Sequence, residues 1–437
     1  MSTHSPAAFL ESSESSAFAK AAWRLIPFLF LCYLSAYLDR INVAFAKLQM
    51  LGDLGFSEAV YGFGASVFFV GYLIFEIPSN LILLRVGPRR WIARIMVTWG
   101  IVSVGMMFVR SPAAFYVMRF LLGLAEAGFF PAIVLYLTYW FPSSRRSKVT
   151  ALFMTGIPMS GVIGGPLSGW LMTRLAGAHG MAGWQWLFLL EGLPTVVLGV
   201  LAYFYLDDKV QDAKWLSEAQ KAVIARKLEE ERPADLLHSV KDGLLNPKIL
   251  LVSAIYFFYT MGLYGVSFWL PTLIKSSGVA DPLHVGLLTA IPYAVGAVAM
   301  VLVSRSSDHH GERRWHLIVP GLAGAFGLAA SVWCADSTVL AMIALTVGTM
   351  GVMTTISQFW VLPPAFLGGG AAAAGLAFAN SVGSISGVVS PSLIGLVKNA
   401  SGSAGAGVLT MSVSLVIAGL LVLRVPPALV NHRGQAR

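Results

Sequence analysis

The sequence predicts an all-α membrane protein with twelve transmembrane helices in two pseudo-symmetric six-helix bundles. Three observations carry that prediction: the composition, the number of long apolar runs, and a short turn repeated in both halves. Hydrophobic residues make up 57% of the 437-residue chain and charged residues 12%, against about 45–50% and about 25% in an ordinary soluble domain. The mean hydropathy is +0.74. A soluble fold cannot hide that much apolar surface, which excludes a cytosolic enzyme, a nucleic-acid binder and a secreted scaffold. The two cysteines, Cys32 and Cys334, both sit in apolar runs, so neither a disulfide framework nor a zinc site can be built.

A helix needs about 20 apolar residues to cross a bilayer core of about 30 Å. Six such runs lie in the first half, at 25–46, 59–84, 91–109, 113–138, 149–173 and 186–206. Six more lie in the second, at 249–274, 284–303, 316–334, 338–360, 372–397 and 405–424. We number them span one to span twelve. The predicted organisation is a short disordered tail over 1–22, an N-terminal bundle over 23–206, a charged linker over 207–247, a C-terminal bundle over 248–424 and a tail over 425–437. The first stretch, over 1–22, lacks a long apolar core, so it is not read as a cleavable signal.

Lys and Arg in the loops set the expected orientation. One set of loops holds Arg85, Arg89, Arg90, Arg94, Arg145, Arg146, Lys148, Arg305, Arg313 and Arg314. The opposite set holds only Lys47, Arg110, Arg174, Lys275 and Lys398. Both termini are therefore expected in the cytoplasm, and the protein in the inner (plasma) membrane. The net charge of +9 is read first as this topological bias. The linker over 207–247 is dense in Asp, Glu, Lys and Arg, and within it 213–232 has the spacing of an amphipathic surface helix.

The repeated turn is Gly87-Pro88-Arg89-Arg90-Trp91 after span two and Gly311-Glu312-Arg313-Arg314-Trp315 after span eight. Matching places in two six-span halves point to a duplicated bundle.

These features resemble the major facilitator superfamily, whose loop motif reads roughly G-x-x-x-D-R-x-G-R-R. The copy from Ser304 to Arg314 keeps the acid, as Asp308; the first copy has Leu84 there and Asn80 in place of the first Gly. More specific stretches resemble the bacterial anion:cation symporter family. They are Tyr37-Leu38-Asp39-Arg40-Ile41-Asn42-Val43, Glu76-Ile77-Pro78-Ser79-Asn80, the run Gly183–Gly192, Phe268-Trp269-Leu270-Pro271 and Asn380-Ser381-Val382-Gly383. The resemblance covers about residues 22–424 and implies import of organic carboxylates of the tartrate, sugar-acid or aromatic-acid type, usually with protons.

A charge at the centre of a spanning helix costs about 2.5–3.5 kcal/mol on insertion scales, so it usually faces a cavity or a partner. The first half buries Asp39 and Arg40 in span one, Glu76 in span two, and Arg119 and Glu126 in span four, with Glu191 near the outer end of span six; the interiors of spans seven to twelve hold no formal charge. Tyr33, Tyr37 and Arg40 share one face of span one. Tyr116, Arg119, Gly123 and Glu126 share a stripe of span four, and Arg119 lies about 10.5 Å along the axis from Glu126. An Arg grips a carboxylate through two parallel hydrogen bonds and stays charged at cellular pH, whereas a buried carboxylate can cycle a proton. Asp39 and Glu126 are therefore the candidate proton-coupling residues. Arg40 and Arg119 are the candidate anion ligands, with Tyr37, Tyr264 and Asn380 as neutral substrate contacts. The alternative for the charges is a static lock between spans one and four. Glu76, Glu191 and the Gly/Ser stripe of span five are read as structural, and Trp184 and Trp186 as interfacial anchors.

The function expected is a proton-coupled symporter of a small organic anion working by alternating access. The alternatives are a proton-antiport efflux transporter for amphiphiles and a transporter-like receptor that binds without transporting. No Gly-Lys dipeptide, HExxH or GxSxG occurs, so neither a phosphate-binding ATP loop nor these hydrolase sites are available. No enzyme activity, cofactor, metal or nucleic-acid partner is expected. The partners expected are the anion, protons and lipid, and the chain is expected to be a monomer.

Overall fold

The computed structural model describes residues 6–142, 145, 149, 153–230, 246–363 and 369–431, with side chains except at 6–13, 364–377 and 404. Twelve spans form two bundles. Eleven helices among the described residues are long and apolar enough to cross a membrane. The remaining expected span is Gly156–Arg174, where glycine, serine and proline dilute the apolar residues.

The local sequence explains most helix starts. Ser57, Ser111 and Asp281 accept hydrogen bonds from the N–H groups of Val60, Ala114 and His284, which caps spans two, four and eight. Pro88, Pro112, Pro247 and Pro282 each stand in a first helical turn, where the missing N–H costs nothing.

The duplication extends to individual hydrogen bonds. Gly87 (φ 91°) and Gly311 (φ 61°) end spans two and eight with positive φ, which glycine adopts without a Cβ clash. The Arg89 N–H then donates to Asp208 Oδ1, just after span six, at 2.9 Å. The Arg313 N–H donates to Asn431 Oδ1, just after span twelve, also at 2.9 Å. In the second copy Arg313 also pairs with Asp308 at 2.5 Å. The first copy, with Leu84 at that place, relies on Asp208 from the linker.

Two expectations change. Residues 6–22, expected to be disordered, continue the first helix, which runs Pro6–Leu54. Phe18 is buried against Phe141 under the Arg145 guanidinium, and Glu14 lies 3.6 Å from Arg145. Span four, expected to be one helix, is two: Pro112–Glu126 and Phe129–Thr138. Gly128 (φ 85°) makes the break, with Ser79 so close that a Cβ would fall 2.2 Å from its hydroxyl oxygen. In the linker, Glu218–Glu230 is the expected surface helix; 231–245 lies outside the described residues.

The bundles meet along three pairs of spans: one with seven, two with eleven, and five with eight. The glycines of span five serve both sides of this boundary. A Cβ on Gly165 would reach 2.6 Å from the Gly286 carbonyl of span eight, and one on Gly164 would reach 2.4 Å from Leu38 of span one. Small residues here let backbones approach closely. We call the end at which spans two, six and twelve finish the linker end, and the opposite end the far end.

Candidate functional site

A narrow cavity of about 80 Å³ lies between the bundles. Tyr33, Tyr37 and Arg40 of span one, Phe69 and Tyr72 of span two, and Phe130 of span four line one side. Tyr256 and Tyr264 of span seven, Trp360 after span ten, and Asn380 and Ser384 of span eleven line the other. Among the described residues, Arg40 is the one formal charge in this lining. All three candidate neutral contacts, Tyr37, Tyr264 and Asn380, are in it.

Arg40 is paired with Glu126. The two come from spans one and four, and the pair stands at the last helical residue before the break at Gly128. Three aromatic rings hold the guanidinium: Tyr37 at 5.0 Å, Phe68 at 5.5 Å and Tyr72 at 5.8 Å. Cations over ring faces are attracted by the quadrupole. Glu126 Oε2 and Arg40 Nε have no hydrogen-bond partner among the described residues. The cluster therefore retains capacity for one more polar group.

Arg119 is fully buried and lies outside the cavity lining. Its Nε donates a long bond, 3.4 Å, to the Gly64 carbonyl, while both terminal nitrogens lack a partner among the described residues. Phe68 stands between the two arginines, 4.9 Å from the Arg119 guanidinium. Close backbone contact fixes this ring's position, since a Cβ on Gly123 would come 1.8 Å from the Phe68 carbonyl. Burying a cation with open donors is costly, so Arg119 is poised for an acceptor.

Asp39, like Arg119 and Glu126, lies outside the cavity lining, and unlike Glu126 it has no partner there. One residue of helix turns about 100°, which points Asp39 away from the cavity and into the N-terminal bundle. Its Oδ2 accepts from Trp99 Nε1 and Thr195 Oγ1, both at 2.7 Å, and its Oδ1 from Ser103 at 2.9 Å. Three neutral donors from spans three and six satisfy the carboxylate. Glu191, expected near the outer interface, is also inside this bundle and accepts from Ser168 at 2.7 Å. Trp184 is buried rather than interfacial and donates to Asp53 at 2.8 Å.

The sequence reading missed Glu76 as a neighbour of the site. Its Oε1 accepts from Asn380 Nδ2 at 3.4 Å, across the bundle boundary. The signal was available, since Phe69, Tyr72 and Glu76 fall at i, i+3 and i+7, one face of span two. No group of His, Cys, Asp and Glu among the described residues could hold a metal ion.

Residues 29–391 match the family described as Major Facilitator Superfamily. The chain is 48% identical over 425 residues to the "Putative metabolite transport protein NicT" of Pseudomonas putida, covering 97% of each chain. It is 46% identical to a "Putative tartrate transporter" of Agrobacterium vitis, covering 94% of this chain and 91% of that one. It is 38% identical to the "Quinolone resistance transporter" of Acinetobacter baumannii, over 97% and 98% of the two chains. Its fold matches the crystal structure of a bacterial homologue of the lysosomal transporter Spinster in an inward-facing, occupied conformation, with TM-score 0.76, 16% identity and coverage of 91% and 95%. It matches the crystal structure of a D-xylose-proton symporter with TM-score 0.75, 16% identity and coverage of 94% and 99%. This multi-pass chain therefore belongs to the major facilitator superfamily and is a membrane transporter rather than an enzyme.

Proposed function

We propose that this chain is a proton-coupled symporter of the anion:cation type, importing a small organic carboxylate across the inner membrane with both termini in the cytoplasm. The carrying observation is that Arg40, which lines the cavity, is paired with Glu126, which stands outside the lining. Glu126 and a substrate carboxylate compete for one guanidinium. With Glu126 ionised, Arg40 is taken and the cavity has little attraction for an anion. With Glu126 protonated, Arg40 presents its fork to the substrate. Proton and anion then favour each other's binding, and the linkage is reciprocal.

Arg119, on the far-end side of Phe68, is the second anion ligand, reached as the bundles part at that end. Asp39 is a second proton-linked group that acts through span one, since it touches no residue of the cavity lining among its hydrogen-bond partners. Tyr37, Tyr264 and Asn380 orient the rest of the substrate. Eight aromatic rings in the lining favour a flat aromatic acid over a polyhydroxylated one, since rings bury well against rings. Tartrate, named for a relative at 46% identity, is the comparison substrate.

The test is uptake of labelled carboxylates into proteoliposomes. Accumulation should require an inward proton gradient and be carried by aromatic acids more than by tartrate. Accumulation of cations, or none with any acid, overturns the reading. A second reading, proton-antiport efflux of amphiphiles, is favoured by the aromatic lining and by the 38% identical relative named for quinolone resistance. Everted vesicles distinguish it, because efflux would appear there as drug accumulation.

A further inference from the structure

In the structure span two runs Glu58–Val86 and span eleven Gly369–Ser401, and the two meet along one antiparallel seam. Glu58 and Glu76 stand toward opposite ends of span two, and Asn380 and Lys398 toward opposite ends of span eleven, with the same interval in each helix. That interval is about five helical turns, so each pair shares one helix face about 27 Å long. The two helices touch between these ends. The Ser392 N–H donates to Ser66 Oγ at 3.0 Å, and a Cβ on Gly62 would come 2.5 Å from the Pro391 carbonyl. Gly387 lies against the Phe69 ring.

The seam carries one span-two carboxylate at its far end and another beside the cavity lining, on its linker-end side, and the two have different partners. At the far end Glu58 pairs with Lys398 of the opposite bundle. Its other oxygen lies 2.6 Å from the buried ammonium of Lys47, which sits 3.6 Å over the Trp269 ring of the opposite bundle. Lys275 adds a bond across the boundary to the Leu48 carbonyl, at 3.0 Å. Among the described residues, Glu76 has one long hydrogen bond, from the uncharged amide of Asn380, at 3.4 Å. An ion pair adds a Coulomb attraction between two charges that a neutral amide partner does not supply.

We propose that Glu58 and Glu76 are the two latches of the rocking motion, and that the difference in charge between their partners sets the resting state as far-end-closed. The proposal uses alternating access from the function proposed above but no feature of the substrate. Two lysines around one carboxylate add a further consequence. Neutralising Glu58 removes the attraction and leaves Lys47 and Lys398 facing each other across the boundary as like charges.

The test is a pair of spin-label distance measurements without substrate, in a background lacking Cys32 and Cys334. Labels at Ala176→Cys and Asp336→Cys report the far end; labels at Arg85→Cys and His309→Cys report the linker end. Glu58→Gln should raise the ratio of far-end-open to far-end-closed protein about tenfold, lengthening the first distance and shortening the second. Adding Lys398→Met should reduce that shift, because the facing charges are gone. Glu76→Gln, which keeps a neutral hydrogen bond, should move both distances less than Glu58→Gln. If Glu58→Gln does not fold, Lys398→Gln in its place should open the far end by a smaller amount. Unchanged distances in a folded Glu58→Gln or Lys398→Gln variant, or a larger change in Glu76→Gln, overturn the proposal. Because no substrate is present, this result is independent of whether carboxylate uptake succeeds.

Discussion

Asp39 and Glu126 are carboxylates buried in the same bundle, and their surroundings differ in kind. Glu126 meets a cation at the cavity wall, while Asp39 meets three neutral donors inside the bundle. A carboxylate paired with a substrate-gripping arginine can exchange that partner for a ligand. A carboxylate held by Trp99, Ser103 and Thr195 has no such exchange available, and its protonation reaches the cavity only through the position of span one. Two groups of the same chemistry, about equally buried, are thus suited to different steps: Glu126 to competition at the site, and Asp39 to the packing of the helices that carry it.

The contrast is sharpest in neutral isosteres. Glu126→Gln should abolish gradient-driven accumulation in proteoliposomes while substrate exchange continues, because Arg40 is freed but no proton is exchanged for the anion there. Loss of exchange together with accumulation would make the pair a structural lock. Arg119→Lys comes next: it keeps the charge but loses the planar fork, and anion affinity should fall about tenfold. Affinity equal to the wild type would mean that Arg119 only balances charge.

Asp39→Asn should act on the bundle more than on the site. Replacing an oxygen that accepts two hydrogen bonds with an amide N–H should lower stability by about 1–3 kcal/mol. That loss is read as a lower Tm, with transport slowed and anion affinity within about twofold of wild type. A large loss of affinity at unchanged Tm would bring Asp39 into the site. The smallest effect lies outside the membrane, at Glu312. Burial works to raise its carboxyl, but bonds from the Trp315 N–H, the His316 ring and N–H, and Asn431 outweigh it and hold the group below its ordinary 4.5. Its stabilisation is therefore full above that pH and is lost as pH falls below it. Glu312→Ala should cost about 1 kcal/mol, the size of a helix cap, with solvent screening the ionic part. A Tm difference from wild type at neutral pH that shrinks as the pH is lowered below 4.5 checks it.

Much of the fold was legible because its signals are long. Apolar runs of bilayer length, and one short turn that recurs at the matching place in the second half, leave few arrangements. The helix over 6–22 was not read, because Ser, Glu and Ala there are polar or small. Ala and Glu nonetheless favour helix, and an apolar-run criterion does not register that. The break in span four left a trace in Gly128 and Pro131, a helix-ending glycine followed by a proline within the first turn of the next segment, but the apolar run continues through both. At the site, helical phase correctly put Tyr37 and Arg40 on the cavity face. It could not tell that Asp39, one residue away, turns to spans three and six, because the faces that neighbouring helices occupy are a tertiary matter. The stripe joining Arg119 to Glu126 was right as a face. Height along the axis then decided that Glu126 meets Arg40 while Arg119 stays behind Phe68.

The central claim is that Arg40 passes between Glu126 and the substrate, and anion affinity measured against pH tests it most directly. For the best-binding acid from a carboxylate panel, wild-type affinity should strengthen as pH falls from about 8 to about 6, provided the ligand stays ionised. In Glu126→Gln the affinity should be independent of pH and at least as tight as that of wild type at the lower value. Wild-type affinity that is flat or rises with pH, or a Glu126→Gln variant that keeps the wild-type pH dependence, would contradict the account.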